Sequence, residues 1–160
     1  MDQTYTTVNT LQKLFSDYLK SKKLRHTAER EAIFTVVCDT NDPFTPESIY
    51  QQMESINFRV SRASVYNTIE LLLNAKIVVR HQFTSSIVQY ELKCLAENHD
   101  HVICTYCGTV NKIKNEKISF SGHKTPKFTP EYHTLYIYGM CSKCKYRLTR
   151  EKVKTNKSKI

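Results

Sequence analysis

The stretch ENHDHVICTYCGTV, residues 97–110, sets two histidines, an aspartate and two cysteines within the eleven positions from Asn98 to Gly108. All of these side chains can ligate a metal, and their spacing decides whether they share one ion. If NHDHVIC is a strand, side chains alternate, so His99 and His101 point to one face while Asp100, Val102 and Cys104 point to the other. Along that strand His101 and Cys104 also stand ~10 Å apart at about 3.3 Å per residue. Ligands of a single zinc lie ~2.0–2.3 Å from it and so roughly 4 Å from one another. One ion cannot comfortably take both sets, and the stretch reads as the junction of two sites.

Cys104 and Cys107 form a CxxC knuckle, and Gly108 behind it has the freedom at positive φ that the tight turn needs. The matching pair is CSKC, Cys141 and Cys144, after an interval of 33 residues. Two such pairs predict a four-cysteine zinc site, structural because protein fills every position. The rival, two redox dithiols, lacks a thioredoxin-like βαβ setting. Cys38 is expected in the core at a helix end, and Cys94 has no assigned role. His99 and His101 need other partners, and Glu91, the last polar residue of the preceding β-rich run, offers a carboxylate. Two histidines and a carboxylate suit Fe(II), Mn(II) or Zn(II). The bland alternative is a pair of surface histidines beside a linker. His26, His81 and His123 each stand alone and read as satisfied or solvated.

These residues must be positioned by a chain of 160 residues, 40% hydrophobic, enough for one ordinary domain or two small ones with limited cores. Leu11, Leu14, Phe15, Tyr18 and Leu19 recur at helical spacing. Thr27, Thr45 and Ser61 are placed to cap three further helices, the second of them with Pro46 at its first position. In the last, Val65, Ile69, Leu72 and Leu73 make the buried stripe. IVVRHQF and SIVQYEL then read as a hairpin about TSS. Helices followed by a two-stranded ribbon predict a winged helix-turn-helix over 1–92, with 93–97 as a linker. HVIC, GTVNKI and YHTLYIYG are β-rich and define a second domain, 98–146, the last of them with two packable faces. Residues 147–160 are polar and basic and read as a disordered tail. The fold class is therefore α+β: an N-terminal winged helix and a small α/β domain with a four-cysteine zinc site.

The net charge of +9 is uneven, with ten Lys/Arg and ten Asp/Glu in 1–92 against fourteen and five in 93–160. Net charge alone therefore does not locate a DNA-binding surface. No apolar run approaches the ~20 residues of a membrane span, and the N-terminus lacks the pattern of a secretory signal. Together with cysteines in metal-ligand spacing, this predicts a cytoplasmic protein with no membrane partner.

From about Leu24 to Cys144, the segments LRHTAEREAIF, TPESIY, SRASVYNTIELLLNAKIVVRH, VQYEL, HDHVICTYCGTV and YHTLYIYGMCSKC resemble the ferric uptake regulator family. The resemblance implies a homodimeric winged-helix repressor that binds AT-rich palindromic operators in double-stranded DNA when charged with metal, its C-terminal domain serving dimerisation. It implies a structural Zn2+ at Cys104, Cys107, Cys141 and Cys144. It implies a regulatory Fe2+, Mn2+ or Zn2+ at Glu91, His99 and His101, and a third site with Asp100 and His133. Tyr66 falls where the recognition helix reads bases and Arg25 where a basic residue enters the minor groove. Arg62, Ser64 and Asn67 complete the expected DNA contacts. The chain departs from the family at Pro43, where a histidine ligand is usual, and at Lys112, Asn98 and Ser119, which replace further ligands. Asn67 also stands where many members have arginine. Zinc-uptake and peroxide- or haem-sensing members are alternative readings, although Glu91 leans away from the peroxide branch. A hydrolytic metalloenzyme built on HDH and a zinc-stabilised interaction module without direct DNA binding are the rivals of other classes.

Overall fold

In a computed structural model of the chain, the described residues are 2–83, 88–96, 99–114 and 134–157. They form two compact units, Met1–Ala96 and Glu97–Ile160.

The first unit opens with helices α1 (Asp2–Ser21), α2 (Ala28–Cys38), α3 (Pro46–Ser55) and α4 (Arg62–Asn74). Each of the last three starts where a side-chain oxygen can accept from an orphan backbone N–H. Thr27 accepts from Arg30, Thr45 from Ser48 and Ser61 from Ser64. At α3 the cap is reciprocal, since the Ser48 hydroxyl also takes the Thr45 N–H at 3.0 Å.

Helices α1, α3 and α4 end by another device. Lys23, Asn57 and Lys76 adopt φ of 55°, 56° and 58°, and the residue after each sends its N–H back to a carbonyl of the last turn. The bonds are Leu24 to Leu19, Phe58 to Met53 and Ile77 to Leu72, at 2.9–3.0 Å. In each case two apolar side chains flank the closing bond.

Phe15, Leu19, Ile33, Phe34, Val37, Ile49, Met53, Val65, Ile69 and Leu72 make one buried core beneath the helices, with Phe15 stacked on Phe34 at 5.5 Å. Strands β1 (Val78–Gln82) and β2 (Val88–Leu92) pair antiparallel with Val79 opposite Glu91 and His81 opposite Gln89. Phe44 pins this hairpin through two backbone bonds to Tyr90, at 2.7 and 2.8 Å. The wing is thereby tied to the residue that precedes α3.

The expected linker divides differently. Lys93–Ala96 is a helical turn, α5, whose Ala96 is buried and whose Lys93 N–H bonds the Ile77 carbonyl at 2.9 Å. It packs with the first unit.

The second unit holds β3 (His99–Cys104), β4 (Val110–Lys114), β5 (Tyr136–Gly139) and helix α6 (Ser142–Lys157). The sheet order is β4-β3-β5, with β3 antiparallel to β4 and parallel to β5. Residues 115–135 leave ample chain for the crossover of a dozen or more that a parallel pair requires. The tail expected to be disordered from 147 is instead helical to Lys157. Its lysines and arginines have good intrinsic helix propensity, and α6 starts beside the Cys141–Cys144 knuckle, so the helix inherits a nucleated first turn.

Candidate metal centres

In the second unit, β3 delivers Cys104 into the turn Thr105–Thr109. The turn closes through the Gly108 N–H on the Cys104 carbonyl and the Cys104 N–H on the Thr109 carbonyl, both at 2.9 Å. Gly108 has φ of 73°, a conformation that costs a glycine nothing. Cys141 and Cys144 lie at the start of α6, where the Lys145 N–H returns to the Cys141 carbonyl at 3.0 Å. The parallel pairing of β3 with β5 brings the two knuckles together, because Cys104 is in register with Gly139.

The four sulfurs all lie within 4.8 Å of one another, with Cys107 Sγ and Cys141 Sγ at 3.8 Å. That is the edge length of a tetrahedron with ~2.3 Å bonds to a central zinc.

The surroundings favour thiolate at one knuckle and oppose it elsewhere. The Cys141 backbone N–H, 3.3 Å from Cys104 Sγ, leads the hydrogen bonds that pull the Cys104 thiol down to about 6. The Thr109 hydroxyl, 3.1 Å from Cys107 Sγ, lowers Cys107 as well. Cys144, buried and facing three other sulfurs, is pushed up to about 12, mainly by burial. Four thiolates at this spacing demand a cation, and a zinc ion deprotonates its coordinating thiols outright. The donor set therefore fits a structural zinc.

On β3 the rings of His99 and His101 meet at 4.8 Å between centroids, edge to face, and His101 is fully buried. The Tyr136 ring lies 6.0 Å from that of His101. Asp100 is also buried. Its Oδ1 accepts from the Leu135 N–H at 3.1 Å, and its Oδ2 is an orphaned buried acceptor among the described residues. His133 and Ser119, the other residues of the expected third site, lie outside the described residues, as does Asn98.

In the first unit Glu91 is buried on β2, and His81 is buried beside it on β1. His81 Nε2 and Glu91 Oε2 are 3.3 Å apart, each side chain 1% exposed. Sequence reasoning left His81 as a lone histidine. The signal was present, since pairing across TSS with 79 opposite 91 puts 81 and 91 on one face, but it needs the register of the hairpin. Pro43 offers no donor atom. His26, also read as alone, pairs with Glu31 at 2.9 Å. Cys38 packs against the helical core, and burial pushes its thiol up to about 12, which makes it inert.

The expected DNA-contacting residues lie on or near α4. Val65, Thr68, Ile69 and Leu72 face inward, leaving Tyr66 and Asn67 exposed. Arg62 is exposed but engaged, its Nη2 and Nε donating to Glu47 at 2.9 and 3.2 Å while its guanidinium lies over the Tyr50 ring at 4.2 Å. Ser64 donates to Glu29 at 2.9 Å. Arg25 is exposed on the connection between α1 and α2.

A winged helix-turn-helix followed by a small α/β unit with a four-cysteine cluster defines a two-domain protein of the metal-dependent regulator class. A sequence profile of the ferric uptake regulator family matches residues 21–138, and the chain belongs to that family. The ferric uptake regulation protein of Campylobacter jejuni is 29% identical over 144 residues, covering 87% of this chain and 91% of the relative. That of Bordetella parapertussis is 30% identical over 130 residues, covering 79% and 93%. Among solved structures, the Helicobacter pylori ferric uptake regulator aligns with a TM-score of 0.69 at 20% identity over 86% of this chain and 93% of its own. That likeness speaks for the fold; the Helicobacter structure is described as having three functional metal binding sites.

Proposed function

We propose that the protein is a cytoplasmic, metal-responsive transcriptional repressor that binds AT-rich palindromic operators as a homodimer and controls genes of iron or other metal homeostasis. It is a regulator and not an enzyme. The observation that carries the reading is α4, a capped helix seated on the core by one face and presenting Tyr66 and Asn67 on the other, in a chain of this family. A helix so presented enters a major groove, and a dimer places two of them about one turn, ~34 Å, or its multiples apart.

In this reading Tyr66 and Asn67 contact bases, and Arg25, Arg62 and Ser64 contact phosphates or sugars. Because Arg62 and Ser64 already hold Glu47 and Glu29, they reach DNA by exchanging those partners. Cys104, Cys107, Cys141 and Cys144 hold zinc. Glu91, His99 and His101 take the regulatory ion, Fe2+, Mn2+ or Zn2+, and Asp100 with His133 contributes to a third site. The relatives named for ferric uptake favour iron, with zinc, peroxide and haem responses as alternatives within the family. No helix among the described residues is long and apolar enough to cross a membrane.

Fluorescence anisotropy with an AT-rich palindromic duplex, with and without added Mn2+ and over a range of salt, tests this. Expected are a stoichiometry of two chains per palindrome, metal-dependent affinity and a steep loss of affinity with salt. Absence of duplex binding under every metal condition would favour an interaction module whose zinc is only structural. Light scattering at micromolar concentration reads the dimer directly.

A further inference from the structure

The hairpin β1–β2 has two faces. Val78, Tyr90 and Leu92 join the helical core. On the opposite face, the pairing of Val79 with Glu91 and of His81 with Gln89 sets His81 diagonal to Glu91, a distance that long side chains bridge. They meet there at 3.3 Å between Nε2 and Oε2, both almost wholly buried. The Phe83 ring, also buried, stacks on the His81 ring at 5.2 Å and 12°, which fixes the imidazole plane.

This pair has the geometry of two ligands of one ion. Donor atoms each ~2.0–2.2 Å from a metal are about 3.0–3.5 Å from each other, so neither side chain has to move. Taking a carboxylate this far out of water is costly unless a cation compensates it. An imidazole does so only when it carries a proton and a charge, whereas a divalent ion uses the lone pairs of both groups at once. The donor types, one nitrogen and one carboxylate oxygen, suit Fe(II), Mn(II) and Zn(II) alike. A stacked, buried ring also arrives pre-oriented, as ligand histidines generally are.

We infer that His81 is a ligand of the regulatory ion, held with Glu91 on the wing hairpin. The inference rests on the proposed reading that Glu91, His99 and His101 bind a divalent ion. It adds a donor from the first unit, whose Pro43 supplies none.

The test uses the full chain with zinc already on the cysteines, titrated with Mn2+ by calorimetry and with Co2+ by visible absorption. His81→Gln is compared with the unsubstituted protein, with Glu91→Gln and with the double variant His99→Ala, His101→Ala. The expected result is a second ion in the unsubstituted protein, bound at least about tenfold more weakly by His81→Gln, with an altered Co2+ spectrum and unchanged cysteine-bound zinc. If His81→Gln keeps the affinity and spectrum of the unsubstituted protein while Glu91→Gln loses them, His81 is only a structural partner of Glu91. The inference then falls and the regulatory site stands. If the unsubstituted protein takes no second ion, both fall. Should His81→Gln fail to fold, proton NMR of the unsubstituted Co2+ protein decides the matter. Hyperfine-shifted resonances from the His81 ring beside those of His99 and His101 support the assignment, and their absence for His81 overturns it.

Discussion

Replacing Cys141 by alanine removes one of four sulfurs that stand within 4.8 Å of one another, together with the residue in contact with Cys107 Sγ at 3.8 Å. A three-thiolate remnant opens a coordination position to water, and a structural site does not tolerate that. Plasma emission analysis should show zinc falling from about one equivalent to a small fraction, and full retention would refute the site. Cys38 behaves in the opposite way. Its thiol is raised to about 12, so the thiolate is on the order of one part in ten thousand at pH 8. Iodoacetamide at that pH should leave Cys38 unmodified in the folded protein and alkylate it once urea is added. The cysteines were legible because two CxxC pairs state their chemistry in their own spacing. His81 was not, because nothing next to it in the chain points to Glu91, and only the strand register makes them neighbours.

At the scale of elements, helix starts and helix stops differ in how openly they are written. Thr27, Thr45 and Ser61 announce α2, α3 and α4, because a capping hydroxyl acts on backbone two or three residues away. Replacing Thr45 by alanine breaks the reciprocal cap with Ser48 and should cost about 0.5–2 kcal/mol in urea unfolding. No glycine marks a stop, since the chain has only three and Lys23, Asn57 and Lys76 take the left-handed position. A lysine there bears a steric penalty that glycine avoids. Lys76→Gly should therefore stabilise the first unit by roughly 0.5–1 kcal/mol after allowing for the greater entropy of unfolded glycine. A lower melting temperature would show that Lys76 earns its place through its side chain. Helix α6 was misread for a related reason. Its polar, basic sequence has the composition of a tail, and what argues for a helix is tertiary: the knuckle at Cys141–Cys144 from which it begins.

The two units are held together internally by different means. The first has a continuous apolar core drawn from four helices and the hairpin. In the second, the buried hydrophobic residues among those described are Ile103, Cys104 and Cys144, beside buried Asp100 and His101. Two of its three apolar anchors are thus cysteines of the cluster. A unit this small, with so thin a core, depends on a staple, and metal-binding free energy becomes folding free energy. Removing zinc with a strong chelator should therefore unfold the second unit while the first keeps its helices. Hydrogen exchange read by mass spectrometry separates the two. Amides of β3, β4 and β5 should lose protection by orders of magnitude after chelation, and those of α2 and α4 should change little. Restoring zinc should restore the sheet. Protection in β3 that survives complete removal of zinc would mean that the sheet stands on its own packing, and uniform loss across both units would mean that they fold as one.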